Sequence, residues 1–257
     1  LTADIGVRDH EAVALASNGG TDVIICDHHL PDGERVPESA HAVLCPPQVD
    51  CDYPNTSLAA CGVSLKLAQA LLSTHPSQDA VIRSLMKLAA IGTVADVVDL
   101  STPENRAIVT LGLAALSRGP NSPGLNALLN VAGCAGRTVT AEDCGFRLGP
   151  RINAAGRIEN ARLAVDLLLE RDPEQAAQLA QAVETLNQAR RQLQETLVRR
   201  VLDDLPDPIP AFPLFGGTAR DGWHKGLSGI VASKIKEALH RPVGVFAVGS
   251  DGYATAS

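Results

Sequence analysis

The sequence predicts an α/β protein: a parallel-sheet domain, joined by a long helix to a smaller α/β domain. Three observations carry that expectation. The β-branched run Val23-Ile24-Ile25-Cys26 breaks off at Asp27-His28-His29 and a Leu30-Pro31-Asp32-Gly33 turn, as a strand buried on both faces would. Strand, helix, strand, loop and strand signals follow one another from Ala3 to Cys45, the pattern of a parallel sheet. One helical stretch from Asp172 to about Asp204 then runs into Pro206, Pro208 and Pro210, which mark a boundary.

In chain order, Ala3-Asp4-Ile5-Gly6 is a strand end and tight turn. Asp9 to Ala16 carries apolar residues at helical spacing and stops at Asn18-Gly19-Gly20. Ala42 to Cys45 is a third strand, halted by Pro46-Pro47. Thr56 or Ser57 caps a helix whose Leu58 to Leu72 stretch is apolar nearly all round, so it is expected to be buried, with Gly62 kept for close packing. A second apolar helix, about Gln78 to Ile91, delivers Gly92-Thr93-Val94-Ala95-Asp96, and Thr102-Pro103-Glu104 opens a third. Gly145 to Arg157 holds three glycines, a proline and three arginines and is expected to be a basic loop, either phosphate-binding or merely solvated. In the long helix, Leu179, Val183, Leu186, Leu193, Leu197 and Val201 form one stripe, and the arginines form a solvated face. Beyond the prolines come a strand (Phe212 to Phe215), Gly222-Trp223-His224-Lys225-Gly226, a helix (Leu227 to His240) and a strand (Val243 to Val248).

The length of 257 residues allows two ordinary domains, and 45% hydrophobic against 20% charged residues describes a soluble globular chain. No apolar run approaches the roughly 20 residues of a membrane span, and no leader opens the chain. The six cysteines lack C-x-x-C spacing, so they are expected to be reduced thiols in a cytoplasmic protein, with no structural zinc. A net charge of -7 excludes nucleic-acid binding through an overall positive field and leaves only a local basic groove. Both ends read as cut: Leu1 begins directly in a strand, and Ala254 to Ser257 closes nothing.

Ligands of open α/β sheets collect beyond the carboxyl ends of the strands. Asp4, Asp27-His28-His29 and Asp96 all end buried elements, so three separate segments offer carboxylates and imidazoles. Such a mixed donor set suits manganese or magnesium better than zinc. Trp223, beside His224 and Lys225, is either a core aromatic or a platform for stacking a nucleotide base.

Several motifs in this order resemble the DHH phosphoesterase superfamily, and within it the single-strand-specific 5′→3′ DNA exonucleases. They are Asp4-Ile5-Gly6, Asp27-His28-His29, Gly92-Thr93-Val94-Ala95-Asp96, Glu104-Asn105-Arg106, the Gly149-to-Arg157 run and Gly222-Trp223-His224-Lys225-Gly226. The resemblance implies a DHH domain over residues 1–171, a connecting helix over 172–205 and a DHHA1 domain over 206–257, with the first and last incomplete. It implies that Asp4 bridges two Mn2+ or Mg2+ ions, that His28 and Asp96 bind one of them, and that Asp27 supports the site while His29 faces the scissile phosphate. Arg151, Asn153, Arg157, Trp223 and His224 would contact single-stranded DNA. The chemistry implied is two-metal phosphodiester hydrolysis releasing 5′-mononucleotides, in DNA repair and recombination. The superfamily's Asp-x-Asp motif is expected before Leu1, and a serine-arginine segment past Ser257. This segment alone is therefore expected to be inactive or nearly so. The competing readings are a phosphodiesterase for short oligonucleotides or cyclic dinucleotides, and a non-catalytic DNA-binding scaffold. Repair-protein partners are not legible in the sequence.

Overall fold

The computed structural model describes residues 1–33, 35–158 and 160–257, without the side chains of Arg157 and Ile158. Its elements are β1 (Thr2–Ala3), α1 (His10–Asn18), β2 (Ile24–Cys26), β3 (Ala42–Leu44), α2 (Ala60–Leu71), α3 (Gln78–Ala95), α4 (Pro103–Arg118) and α5 (Pro123–Val131). They continue with α6 (Ala141–Asp143), a π-helical turn (Cys144–Leu148), α7 (Gly149–Ile158), α8 (Arg162–Leu169) and α9 (Pro173–Asp203). The chain ends with β4 (Leu214–Thr218), α10 (Ser228–Leu239), β5 (Gly244–Val248) and β6 (Ala254–Ala256). Two compact units result: residues 1–121 with 134–149, and residues 122–133 with 150–257. They do not divide at 171 or 205, where the sequence places its boundaries. The reason is that α9 packs on α5, α8 and α10 within one unit.

In the first unit, β1, β2 and β3 form a parallel sheet in that order, with Ala3 opposite Cys26 and Cys26 opposite Leu44. The central strand is buried on both faces, as its composition predicts. Val23 and Ile25 pack with Val13 of α1, while Cys26 packs with Leu58, Val63, Leu65 and Ile108 on the other face. The helix expected to stop at Ile91 runs on to Ala95, where Ala89, Ala90, Ile91 and Thr93 are buried almost all round. Asp96 therefore caps a helix.

The Gly145-to-Arg157 stretch is helical, which corrects the expected loop. Thr140 and Asp143 form a reciprocal capping box at its start. Cys144, Leu148, Ala154 and Ala155 are fully buried at helical spacing, and that packing outweighs the three glycines. Pro150 would clash with a carbonyl inside a regular α-helix. The π-helical turn before it, in which Gly149 N–H reaches Cys144 O, places the proline in the first turn of α7. Gly149 itself is required by close approach: a Cβ there would lie 2.9 Å from Cys144 O and 3.2 Å from Ala95 Cβ.

In the second unit, α9 is a single helix capped by Asp172, whose side chain accepts from Gln175 N–H at 2.8 Å. Its first half buries Ala176, Ala180, Val183 and Asn187, and its last turns bury Leu197 and Val201. Leu193, expected in the stripe, is 39% exposed. Leu197 and Val201 join Trp223, Leu227, Val231, Ile235 and Val245 in a second core, beneath a sheet in which β4 is parallel and β6 antiparallel to β5.

Asp143 is an acid-sensitive joint of the first unit. Hydrogen bonds from Arg137, 2.8 and 2.6 Å long, hold its carboxyl far below the usual carboxylate range against the burial that pushes it up. A depressed carboxyl stabilises the fold above the unfolded value of about 4, and that share is lost as pH falls through the folded value. Thermal unfolding followed against pH is expected to show the wild type losing stability below about pH 4, with a shallower slope in Asp143→Asn. Equal slopes would remove Asp143 from this role.

Candidate metal centre

The site begins where β1 ends. Asp4 N–H continues the ladder to Cys26 O at 3.0 Å, but the residue itself is left-handed, with φ 66°. The turn completes at Gly6, φ 124°, where a Cβ would lie 2.9 Å from Thr2 Oγ1 and 3.1 Å from an Ile25 methyl. Only glycine meets both demands. This turn aims Val7 N–H at the Asp27 carboxylate, 3.0 Å away.

Asp27 is 1% exposed and accepts four hydrogen bonds. Oδ2 takes Val7 N–H, while Oδ1 takes His28 N–H at 2.8 Å, His29 N–H at 3.3 Å and the His29 ring at 2.7 Å. Burial pushes this carboxyl up, and the bonds from Val7, the His29 ring and the two backbone amides outweigh it, so the net shift is downward. An ionised carboxylate only accepts, so His29 Nδ1 carries the proton in their bond. Asp27 thus orients His29.

His28 is the centre of the ligand cluster. Its Nε2 lies 3.1 Å from Asp4 Oδ1 and 3.4 Å from Asp96 Oδ2. His29 also comes close: one ligand atom each from Asp4, His28 and His29 lie within 4.8 Å of one another. The two rings are tilted by 58° with centroids 4.7 Å apart. Asp96 sits at the carboxyl end of α3, where the helix dipole disfavours negative charge. Burial and the neighbouring Asp4 raise its carboxyl, opposed by His28 and His29. Val97 beyond it is left-handed at φ 57° and 87% exposed, a rare conformation for a β-branched residue. Two carboxylates converging on one imidazole, one of them at a helix C-terminus, form a place for a cation. The donor set of carboxylate oxygens and imidazole nitrogen fits Mn2+ or Mg2+.

The predicted nucleic-acid residues lie in the second unit and fare differently. Trp223 is 6% exposed inside the second core, so neither ring face is open for stacking a base; the core reading is the correct one. Arg151 is also buried, with Nε bonded to Glu184 Oε2 at 2.5 Å, so an ion pair between α7 and α9 replaces the expected open phosphate clamp. Asn153 is exposed on α7. The side chain of Arg157 lies outside the described residues. His224 is partly buried, and its Nδ1 accepts from Gly226 N–H at 3.1 Å, which leaves the ring proton on Nε2.

Sequence reading singled out Glu104-Asn105-Arg106 only through the family resemblance and missed the polar network these residues form. Glu104 takes hydrogen bonds from Tyr53, Asn55 and Lys66, and Asn105 is fully buried among them. Tyr53 and Asn55 come from a loop and Lys66 from another helix, so no spacing links them.

Asp27→Asn replaces an acceptor of four bonds with a side chain that accepts through one atom. We expect it to destabilise the protein by about 2 kcal/mol, measured by urea unfolding. A loss within a few tenths of a kcal/mol would show that the turn holds itself.

Residues 1–93 match the DHH family, N-terminal domain. The single-stranded-DNA-specific exonuclease RecJ of Dickeya dadantii is 38% identical over 98% of this chain, and the RecJ of Bacillus subtilis is 39% identical over 96%. The chain spans 45% and 30% of the lengths of these two relatives. The crystal structure of RecJ from Thermus thermophilus in complex with Mn2+ superposes with a TM-score of 0.79 at 33% identity, covering 96% of this chain and 36% of that one. A crystal structure of exonuclease RecJ bound to manganese gives 0.78 at 32% identity, covering 96% and 60%. Residues 1–93 thus match the DHH family's N-terminal domain, and the chain is similar to RecJ proteins along nearly its whole length.

Proposed function

We propose that the protein containing this chain is a single-strand-specific DNA exonuclease that hydrolyses phosphodiester bonds from the 5′ end and releases 5′-mononucleotides. The observation that carries this reading is the Asp4–His28–Asp96 cluster beside His29, which the buried Asp27 carboxylate orients, in a chain whose homologues are single-stranded-DNA-specific exonucleases.

Asp4, His28 and Asp96 would hold Mn2+ or Mg2+. When bound, such ions lower the pKa of a coordinated water and stabilise charge on the attacking and leaving oxygens of an in-line displacement. The chain's own residues divide the remaining work. Asp27 keeps His29 in one tautomer and one orientation, leaving Nε2 as an acceptor that faces the scissile phosphate and would take a proton there. The pair keeps this geometry before substrate arrives, because Asp27 is fixed by three backbone amides. Asn153, Arg157 and the Nε2–H of His224 contact the sugar-phosphate backbone, while Arg151 and Trp223 position the elements that carry them. Contacts of this kind read no bases, so they give strand selectivity without sequence selectivity. At a net charge of -7, binding depends on these local groups and weakens with salt. Six free thiols and no membrane-length helix among the described residues fit a cytoplasmic enzyme.

The test uses the longest reading frame that contains this chain. Mononucleotide release from 5′-phosphorylated single-stranded DNA is expected with Mn2+ or Mg2+, with none in chelator and at least a hundredfold less, roughly, in His28→Ala. Duplex DNA should be spared. Faster turnover of dinucleotides than of long strands would replace this reading with an oligonucleotide phosphodiesterase. Binding of DNA without any release would leave a scaffold.

A further inference from the structure

We propose that Asn105 is a positioning residue for the metal centre: it ties the connection carrying Asp96 to the entrance of α2, and so sets the distance between Asp96 and His28. The inference rests on the metal-centre reading above and goes beyond it, because Asn105 touches no ligand atom.

Asn105 is 0% exposed, and every polar atom of its amide is used. Nδ2 donates to Ser57 O at 2.7 Å and to Asp99 O at 2.9 Å, while Oδ1 accepts from Asn55 Nδ2 at 3.1 Å. Asn55 Oδ1 in turn accepts Ser57 N–H at 3.1 Å, so the amides lock the loop before α2. No other side chain of this shape supplies two donors to carbonyls and one acceptor to an amide.

The two carbonyls it joins lead to the two halves of the site. Asp99 lies three residues beyond Asp96, and between them Val97 is left-handed and 87% exposed. Burial does not hold that stretch; polar ties hold it from behind. Thr102 Oγ1 also donates to Asp99 O at 3.2 Å, and Arg106 Nε donates to Leu100 O at 3.3 Å. On the other side, Ser57 leads into α2, which packs on β1 and β2, the strands that end at Asp4 and Asp27-His28-His29. Glu104 anchors the same network through Tyr53, Asn55 and Lys66 at 2.8, 3.1 and 2.6 Å. The Glu104-Asn105-Arg106 run thereby acquires a structural reason, since two of its three side chains bond to the carbonyls that follow Asp96 and the third braces the loop opposite.

A latch of this kind should tune metal affinity, whereas a merely structural bond would change stability alone. The experiment compares the wild type with Asn105→Leu, Asn105→Asp, Asp96→Asn and the core control Ile108→Val, a buried residue on the same helix that makes none of these bonds. Mn2+ affinity is measured by calorimetric titration of the full-length protein, beside melting temperature. Both Asn105 variants are expected to bind Mn2+ roughly tenfold to a hundredfold more weakly, with turnover regained at high Mn2+ and KM for DNA unchanged. Ile108→Val should melt earlier with its Mn2+ affinity intact. Asn105 variants that melt earlier yet keep wild-type Mn2+ affinity would overturn the inference alone. A wild type that binds Mn2+ no better than Asp96→Asn would overturn both it and the metal-centre reading.

Discussion

The carboxylate of Asp27 has almost no access to water, yet its hydrogen bonds hold its pKa down, and the residue sits just past the end of β2, where its N–H still reaches Leu44 O. A buried charge of this kind survives only when its lone pairs are satisfied. Here the satisfaction comes from the site itself: the amides of Val7, His28 and His29 and the ring of His29. The Val7 amide belongs to the turn that bears Asp4, so one carboxylate fixes the relation of Asp4, His28 and His29. The left-handed Asp4 and the glycine at position 6 follow from that constraint, since the chain must reverse within the span of two side chains to reach Asp27.

Asp96 enters from a different element and needs its own support. It arrives at the end of an 18-residue helix, facing the unfavourable pole of the helix dipole and close to a carbonyl network tied down by buried amides. The cluster thus combines one ligand group held by a buried charge with another held by neutral hydrogen bonds. The electrostatic cost of holding Asp96 partly buried beside Asp4 at a helix C-terminus is what a divalent cation would offset.

Much of this was legible in the sequence. The central strand was, because Val23 to Cys26 is apolar at every position and ends abruptly in ionisable residues. The convergence of Asp4, His28 and Asp96 followed from three segments ending in ligand-type side chains. The helical nature of Gly145 to Arg157 was hidden by glycine and proline content, although Cys144, Leu148, Ala154 and Ala155 carry the spacing of a buried face. Burial of Arg151 was not readable, and that of Trp223 was only one of two readings, because both depend on partners from α9 and its neighbours, far along the chain. The amide latch was invisible for the same reason: its hydrogen bonds join residues some fifty positions apart.

The account stands on one claim, that Asp4, His28 and Asp96 share a divalent cation. Anomalous diffraction at the manganese edge, from crystals of the protein soaked in Mn2+, tests it most directly. The account predicts a peak within coordinating distance of Asp4, His28 Nε2 and Asp96, and its loss in His28→Ala crystals treated alike. A strong peak elsewhere with none at these three side chains would contradict it.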